Sequence, residues 1–129
     1  MNVNETIEDL IAEQKSLDNV VAELDNRLWK TPTASERWDV ADQIGHLTYF
    51  DNAAALAITD PDRFRASFDD LVASAVNGNE SSDNFTLGVY RSMTPEVLLS
   101  SWREGRENLK NAALTLENDS RVIWYGPSM

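Results

Sequence analysis

The stretch RWDVADQIGHLTYFDNAAALAITD, residues 37–60, decides which fold we expect for this chain. Asp39, followed three residues later by Asp42, is typical of a capping box, in which carboxylates meet the unpaired amides of a helix start. The stretch therefore predicts a helix that begins near Val40. Its helical positions form two neighbouring stripes, made of Ile44, Leu47, Asp51 and Ile58, and of His46, Tyr49, Phe50, Ala53 and Ala57. So wide an arc is typical of a central helix, so we expect His46 to lie inside the protein.

Upstream of this helix, apolar residues recur at alternating spacings of four and three. They predict a first helix of about 26 residues, from Val3 to Leu28, which ends before Pro32 because proline lacks an amide donor. The apolar stripe of this helix has one polar position, Gln14. That residue is read either as an edge or register-fixing side chain, or as a polar group that faces an internal site.

Downstream, Asp60 and Pro61 predict the start of a helix that continues to Gly78. The segment NGNESSDN, residues 77–84, predicts a loop. Residues 85–93 remain open between a short helix and an extended connection. Pro95 starts another helix, and Gly105 on its apolar face indicates close approach of a neighbouring helix. The chain ends in RVIWYGPSM, residues 121–129, which predicts an extended apolar segment closed by Gly-Pro.

These elements predict the all-α class, as an antiparallel bundle with four main helices. With 129 residues, we expect a single domain that spans residues 1–129. The 11 Lys and Arg residues face 22 Asp and Glu residues, which gives a formal charge of −11. That charge repels phosphate backbones and anionic lipids, so we expect neither nucleic acid nor a membrane as a partner. The N-terminus does not resemble a secretion signal, so we expect a cytoplasmic protein.

His46 is the only histidine, and the chain contains no cysteine. Cysteine-ligated zinc, iron–sulfur clusters and thiol nucleophiles of the chain itself are therefore excluded. From the residues alone, His46 is either a packed core residue or a metal ligand. Of the neighbouring carboxylates, Asp42 lies one turn before His46 and is the better partner for it, although a capping role is also open to Asp42. Asp51 lies about 140° further round the helix and is poorly placed to bind the same metal ion.

The motif W-D-V-A-D-Q-I-G-H-L, residues 38–47, followed by Asp51, resembles the second-helix signature of the DinB-like metal-binding bundles. It is most similar to the branch that contains the N-terminal domain of mycothiol-dependent maleylpyruvate isomerase. The similarity extends to the first helix with its Trp-containing end, to the TPEVLLSSWREGREN segment and to RVIWYGPSM. Nearly the whole chain is thus covered by the resemblance.

The resemblance implies that His46 is one ligand of a divalent metal, zinc or nickel, and that mycothiol is the thiol cofactor. In that family the other ligands come from a last helix with an E-x-x-x-H pattern, which this sequence does not contain. We therefore expect a domain truncated at its C-terminus, with an incomplete metal site. The place of the absent helix would leave an apolar groove, and we expect a homodimer that covers it.

Three functional hypotheses remain open. The first is a shortened DinB-like domain without a complete catalytic site, which serves as a binding or interaction module. The second is a metal- and mycothiol-dependent isomerase or transferase, whose site is completed by another subunit or by further sequence. The third is a structural helical protein in which His46 is only packed.

Overall fold

The fold was analysed in a computed structural model, which describes residues 2–125. The described residues form five α-helices and one short 3-10 helix: α1 (Val3–Val21), the 3-10 helix (Asn26–Lys30), α2 (Val40–Thr59), α3 (Pro61–Ala75), α4 (Asn79–Arg91) and α5 (Pro95–Ala113). The only β-type pairing in this part of the chain is an isolated bridge between Pro32 and Asp39. The all-α class is confirmed, with one α-helix more than the four main helices expected.

Helix α2 is the centre of the bundle. Its most extensive contact is with α5, and it also packs against α3, α4 and the 3-10 helix. Asp39 and Asp42 form the predicted capping box, so the helix begins at Val40 as expected. The main core lies where α2 and α5 meet α1 and the 3-10 helix, and its buried members are Val21, Trp29, Ile44, Leu98 and Trp102.

A second core lies at the other end of α2, where it meets α3. Its buried members are Ala53, Ala57 and Phe64. The C-terminal segment, residues 121–125, packs against this core, and the rings of Phe64 and Trp124 are stacked with centroids 5.5 Å apart. This segment has no regular secondary structure, in agreement with the extended segment expected there. The expected closing Gly-Pro turn lies outside the described residues.

Two glycines allow the helices to approach α2 closely. A Cβ atom at Gly45 would lie 3.1 Å from the Cβ of Tyr90 on α4. A Cβ atom at Gly105 of α5 would lie 3.2 Å from the side-chain oxygen of Asn52. The close helix approach predicted at Gly105 is therefore confirmed.

The first helix is shorter than expected. Helix α1 ends at Val21, and the 3-10 helix that follows is separated from it by a turn. The side chain of Asp25 accepts a hydrogen bond from the backbone amide of Arg27, and such a local bond competes with the helical pattern. The apolar spacing to Leu28 therefore continues although the α-helix does not, and the prediction of one helix of about 26 residues is wrong.

The prediction of a loop at residues 77–84 is also wrong, except for its first two residues. Gly78 has a φ of 101°, which ends the connection from α3, and α4 begins directly at Asn79. The composition of this segment is typical of a loop, but Leu87 is fully buried and Asp83 is buried with an ion-pair partner. Tertiary packing thus stabilises a helix that local propensity does not predict.

Helix α1 is held to α5 by charged side chains. Asp18 accepts two hydrogen bonds from the guanidinium of Arg103, at 2.8 and 2.7 Å, and also pairs with Arg106. Both arginines hold the pKa of Asp18 below its usual value, although partial burial opposes this. None of the helices in residues 2–125 combines the length and apolar character needed to cross a membrane.

Candidate functional site

His46 lies on α2 between two aromatic rings. Its ring centroid is 4.8 Å from that of Trp38 and 4.7 Å from that of Phe50, with interplanar angles of 41° and 51°. Phe50 reaches the imidazole because it lies one helical turn further along α2. Trp38 comes from the segment before the helix, which the bridge between Pro32 and Asp39 holds in place. The imidazole is therefore positioned by its own helix and by the connection that precedes it.

An ion pair between a half-exposed arginine and a buried aspartate lies beside this aromatic group. Asp83 of α4 is buried, and the Nε atom of Arg37 donates a hydrogen bond of 2.8 Å to its carboxylate. The guanidinium of Arg37 holds the pKa of Asp83 below its usual value, so the carboxylate stays ionised at neutral pH. Because Trp38 follows Arg37 directly, the ion pair links α4 to the residue that covers the imidazole.

The electrostatics of the site favour a neutral histidine. Burial lowers the pKa of the His46 imidazole below its usual value of 6.5, and the negative charge of Asp83 opposes this shift only in part. A neutral imidazole keeps a lone pair on one ring nitrogen, which is the form that binds a metal ion. The ring is half-buried and is not sealed within the core, so His46 lies less deep than the apolar arc of α2 predicted.

The two carboxylates near His46 in sequence serve other roles. Asp42 completes the capping box and pairs with Arg91 of α4 at 3.0 Å, so its oxygens are already engaged. The side chain of Asp51 faces α1 instead, where the amide of Gln14 donates a long hydrogen bond of 3.5 Å to it. Gln14 is itself half-buried and contacts this carboxyl group at the edge of the α1–α2 contact, so the two alternatives for that residue both stay open.

Asp51 is a partly buried carboxyl group between α1, α2 and α5. Burial raises its pKa to about 6, against the lowering influence of Trp102 and Arg106 on α5. The buried indole N–H of Trp102 lies close enough to lower this pKa, but it does not meet the geometry of a complete hydrogen bond within the described residues. This polar group is separate from the ring contacts of His46, so the structure does not bring Asp51 and His46 together as ligands.

The described residues do not form a metal site by themselves. No group of three or more histidine, cysteine, aspartate or glutamate side chains within residues 2–125 is arranged to hold a metal ion. Structural zinc sites take four protein ligands, and catalytic zinc sites take three. His46 could supply one donor, and any further donors would have to come from outside the described residues.

The C-terminal segment approaches the site through a row of aromatic rings. The ring of Tyr125 lies 5.5 Å from that of Phe50, which in turn contacts His46. Tyr125 also contacts Phe64 and Phe68 of α3, each at 5.1 Å. Tyr125 therefore lies on the same side of α2 as Phe50 and the imidazole.

Sequence reasoning missed Asp83 and Arg37 as neighbours of His46. Asp83 lies in the segment interpreted as a loop, and no spacing rule connects Arg37 with a residue 46 positions later. The only available signal was the proximity of Arg37 and Trp38 to the histidine motif in the sequence.

The fold and site together define a class of protein: a helical bundle whose central helix holds a single, half-buried histidine between aromatic rings. The chain belongs to the mycothiol maleylpyruvate isomerase N-terminal domain family, whose sequence profile matches residues 10–129. The family indicated by the histidine motif is thereby confirmed.

Two relatives are uncharacterized proteins of Mycobacterium tuberculosis, one from strain H37Rv and one from strain CDC 1551. Each is 32% identical to this chain over 123 residues, which cover 95% of the chain and 46% of the relative. The chain thus spans about half the length of the curated relatives that it matches. No solved structure shows significant similarity to it.

Proposed function

We propose that this chain is a metal-binding domain in which His46 supplies one ligand to a divalent zinc or nickel ion. The observation that carries the proposal is the environment of the ring: it is half-buried, its neighbours are aromatic, and burial favours the neutral form. An imidazole of this kind can donate a lone pair to a metal ion. The family to which the chain belongs supports the same role.

The complete site requires ligands from outside residues 2–125, either from a second subunit or from further sequence. We propose that the completed site serves a mycothiol-dependent isomerase or transferase. A divalent metal ion in such a site can activate a bound water or thiolate as a nucleophile. The described residues would contribute the His46 donor, the aromatic rings that restrict water and the ion pair that holds Trp38.

We also propose that residues 1–129 form one domain that acts in the cytoplasm as a homodimer. Supporting the dimer, several apolar side chains of α3, α4 and the connection between them are solvent-exposed, among them Val72 at 50%, Val76 at 81% and Val89 at 68%. Burying such side chains against a second copy removes apolar surface from water. Sedimentation velocity would test the dimer, and a monomer at micromolar concentration that Val76→Glu leaves unchanged would contradict it.

Metal binding can be tested on the purified protein and two variants. Elemental analysis of protein expressed with zinc or nickel should find metal that His46→Gln removes and that Asp51→Asn retains. Asp51→Asn is the matched control, because it alters a carboxylate of the same helix that faces away from the imidazole. Addition of Ni²⁺ should also broaden the NMR signals of His46, Trp38 and Phe50 before those of the core. Metal retained in His46→Gln, or Ni²⁺ broadening elsewhere first, would refute the role of His46.

A second candidate function is a binding or interaction module without catalysis. The observation that favours it is the small number of metal donors in the described part of the chain. The elemental analysis separates the metal-binding domain from the interaction module. A module would contain no zinc or nickel, and it would still associate with its partner.

A further inference from the structure

A cavity lies at the end of the bundle where α2 begins, and His46 is not among the residues that line it. It has a volume of about 490 Å³, within the range of small-molecule sites. It is formed where the 3-10 helix meets the first turns of α2 and α5 and the last turn of α4. None of the rings that contact His46 lines it, so the cavity is distinct from the candidate metal site.

The floor of the cavity is apolar and is formed by side chains of the main core. Trp29 and Leu98, which line it, are members of the main core and are only 3% and 1% exposed. Tyr90 and Met93 add a ring and a thioether at the wall, and both pack against that core. A floor built on core residues is preformed, so a ligand would not have to order it on binding.

The polar groups at the rim are almost all engaged with one another. Both carboxylates belong to the capping box of α2, and Asp42 also accepts a hydrogen bond from Arg91. The side-chain amide of Asn26 donates to Glu96, and Arg27 pairs with Asp25. The rim therefore offers few free acceptors to a cationic ligand.

Lys30 is the exception among these rim groups. Its ammonium group forms no ion pair within residues 2–125, although it lines the cavity beside the apolar floor. The charged side chains that line the cavity are three cations, Arg27, Lys30 and Arg91, and two carboxylates, Asp39 and Asp42. In a chain with a formal charge of −11, this small local excess of positive charge is the reverse of the overall balance.

We propose that this cavity binds a small organic monocarboxylate with an aromatic or branched apolar body. The apolar body would lie on Trp29 and Leu98, and the carboxylate would pair with the ammonium of Lys30. An apolar pocket with a few placed polar groups is the usual form of a small-molecule site, in which the charged group sets orientation.

The test compares 2-naphthoate with its neutral amide, 2-naphthamide, by calorimetry on the full chain. Naphthoate should bind in a saturable manner, and about tenfold more tightly than the amide. Lys30→Met should remove that preference, whereas Lys30→Arg should retain it. Lys15→Met is the matched control, because Lys15 is an exposed lysine on α1 that does not line the cavity.

Two further measurements locate the bound probe. Naphthoate should shift the NMR signals of Tyr90 and Met93, and Ala41→Leu, which enlarges a side chain in the cavity wall, should weaken binding at least about tenfold. If Ala41→Leu does not fold, the pair of Lys30 variants still decides the question. His46→Gln should leave naphthoate binding unchanged, so this result is independent of the metal proposal. Equal affinity for acid and amide, or an unchanged preference in Lys30→Met, would overturn the inference.

Discussion

Replacing Asp51 with asparagine should stabilise the protein at neutral pH, although the carboxyl group lies in the interior. Burial raises its pKa from 3.8 to about 6, so the folded state holds the proton more tightly than the unfolded state. The stability associated with this group is therefore present at low pH and is lost as the pH rises from about 4 to about 6. Above that range, the folded protein bears the cost of an ionised, partly buried carboxylate.

The magnitude follows from the difference between the two pKa values. At 1.36 kcal/mol per pKa unit, the difference between the folded and unfolded pKa values corresponds to about 3 kcal/mol of unfolding free energy. Because the carboxyl group is only partly buried, solvent screening should reduce the effect to about 1–2 kcal/mol. The free energy of unfolding of Asp51→Asn should therefore exceed that of the parent chain by about this amount at pH 7.5, and the gain should disappear near pH 4.

Urea unfolding followed by circular dichroism, from pH 4 to pH 8, measures this difference directly. Asp9→Asn is the matched control, because it makes the same change of charge at an exposed position of α1. Its difference from the parent chain should vary little with pH. If Asp51→Asn were destabilising at pH 7.5, or its effect did not depend on pH, the assignment of an unfavourable buried charge would be refuted.

Two other predictions concern helix packing. Gly45→Ala should lower the free energy of unfolding by about 1–3 kcal/mol, because the new Cβ atom would lie 3.1 Å from the Cβ of Tyr90. Gly88→Ala on α4 should instead be stabilising by up to about 1 kcal/mol, since nothing lies within 4 Å of its Cβ position; equal effects in urea unfolding would contradict this contrast. Asp18→Asn should loosen α1 by removing the negative charge that pairs with two arginines on α5. Amide hydrogen exchange should be faster in the variant than in the parent chain, and the increase should be larger in α1 than in α2. Exchange rates equal to those of the parent chain would count against this prediction.

The sequence predicted those helices whose starts are encoded locally. The capping box at Asp39 and Asp42, and the proline after a cap residue at Asp60 and Thr94, place the first turns of α2, α3 and α5. Such signals act over three or four residues, so they can be recognised in the sequence without knowledge of the fold. The family could also be recognised from the sequence, because its histidine motif lies within a single helix and the turn before it.

The sequence did not reveal the helix α4 or the early end of α1. Residues 79–84 have the composition of a loop, and they form a helix because Asp83 meets Arg37 while Leu87 enters the core. At the end of α1 the apolar spacing continues, but a side chain-to-backbone hydrogen bond from Arg27 to Asp25 favours a turn and a 3-10 helix. Both outcomes depend on competition between local and distant contacts, which periodicity does not report.

The candidate site, like the fold, was predicted from the sequence only in part. The sequence by itself determined that one histidine lies on the apolar arc of a central helix, with Phe50 one turn away, because helical geometry fixes that spacing. Only the tertiary structure decided that Trp38 covers the other side of the ring and that Asp51 belongs to a separate polar group with Gln14. It also decided that Lys30 borders an apolar cavity. The reason is physical: a helix fixes its own neighbours at three and four residues, whereas contacts between helices depend on how all of them pack.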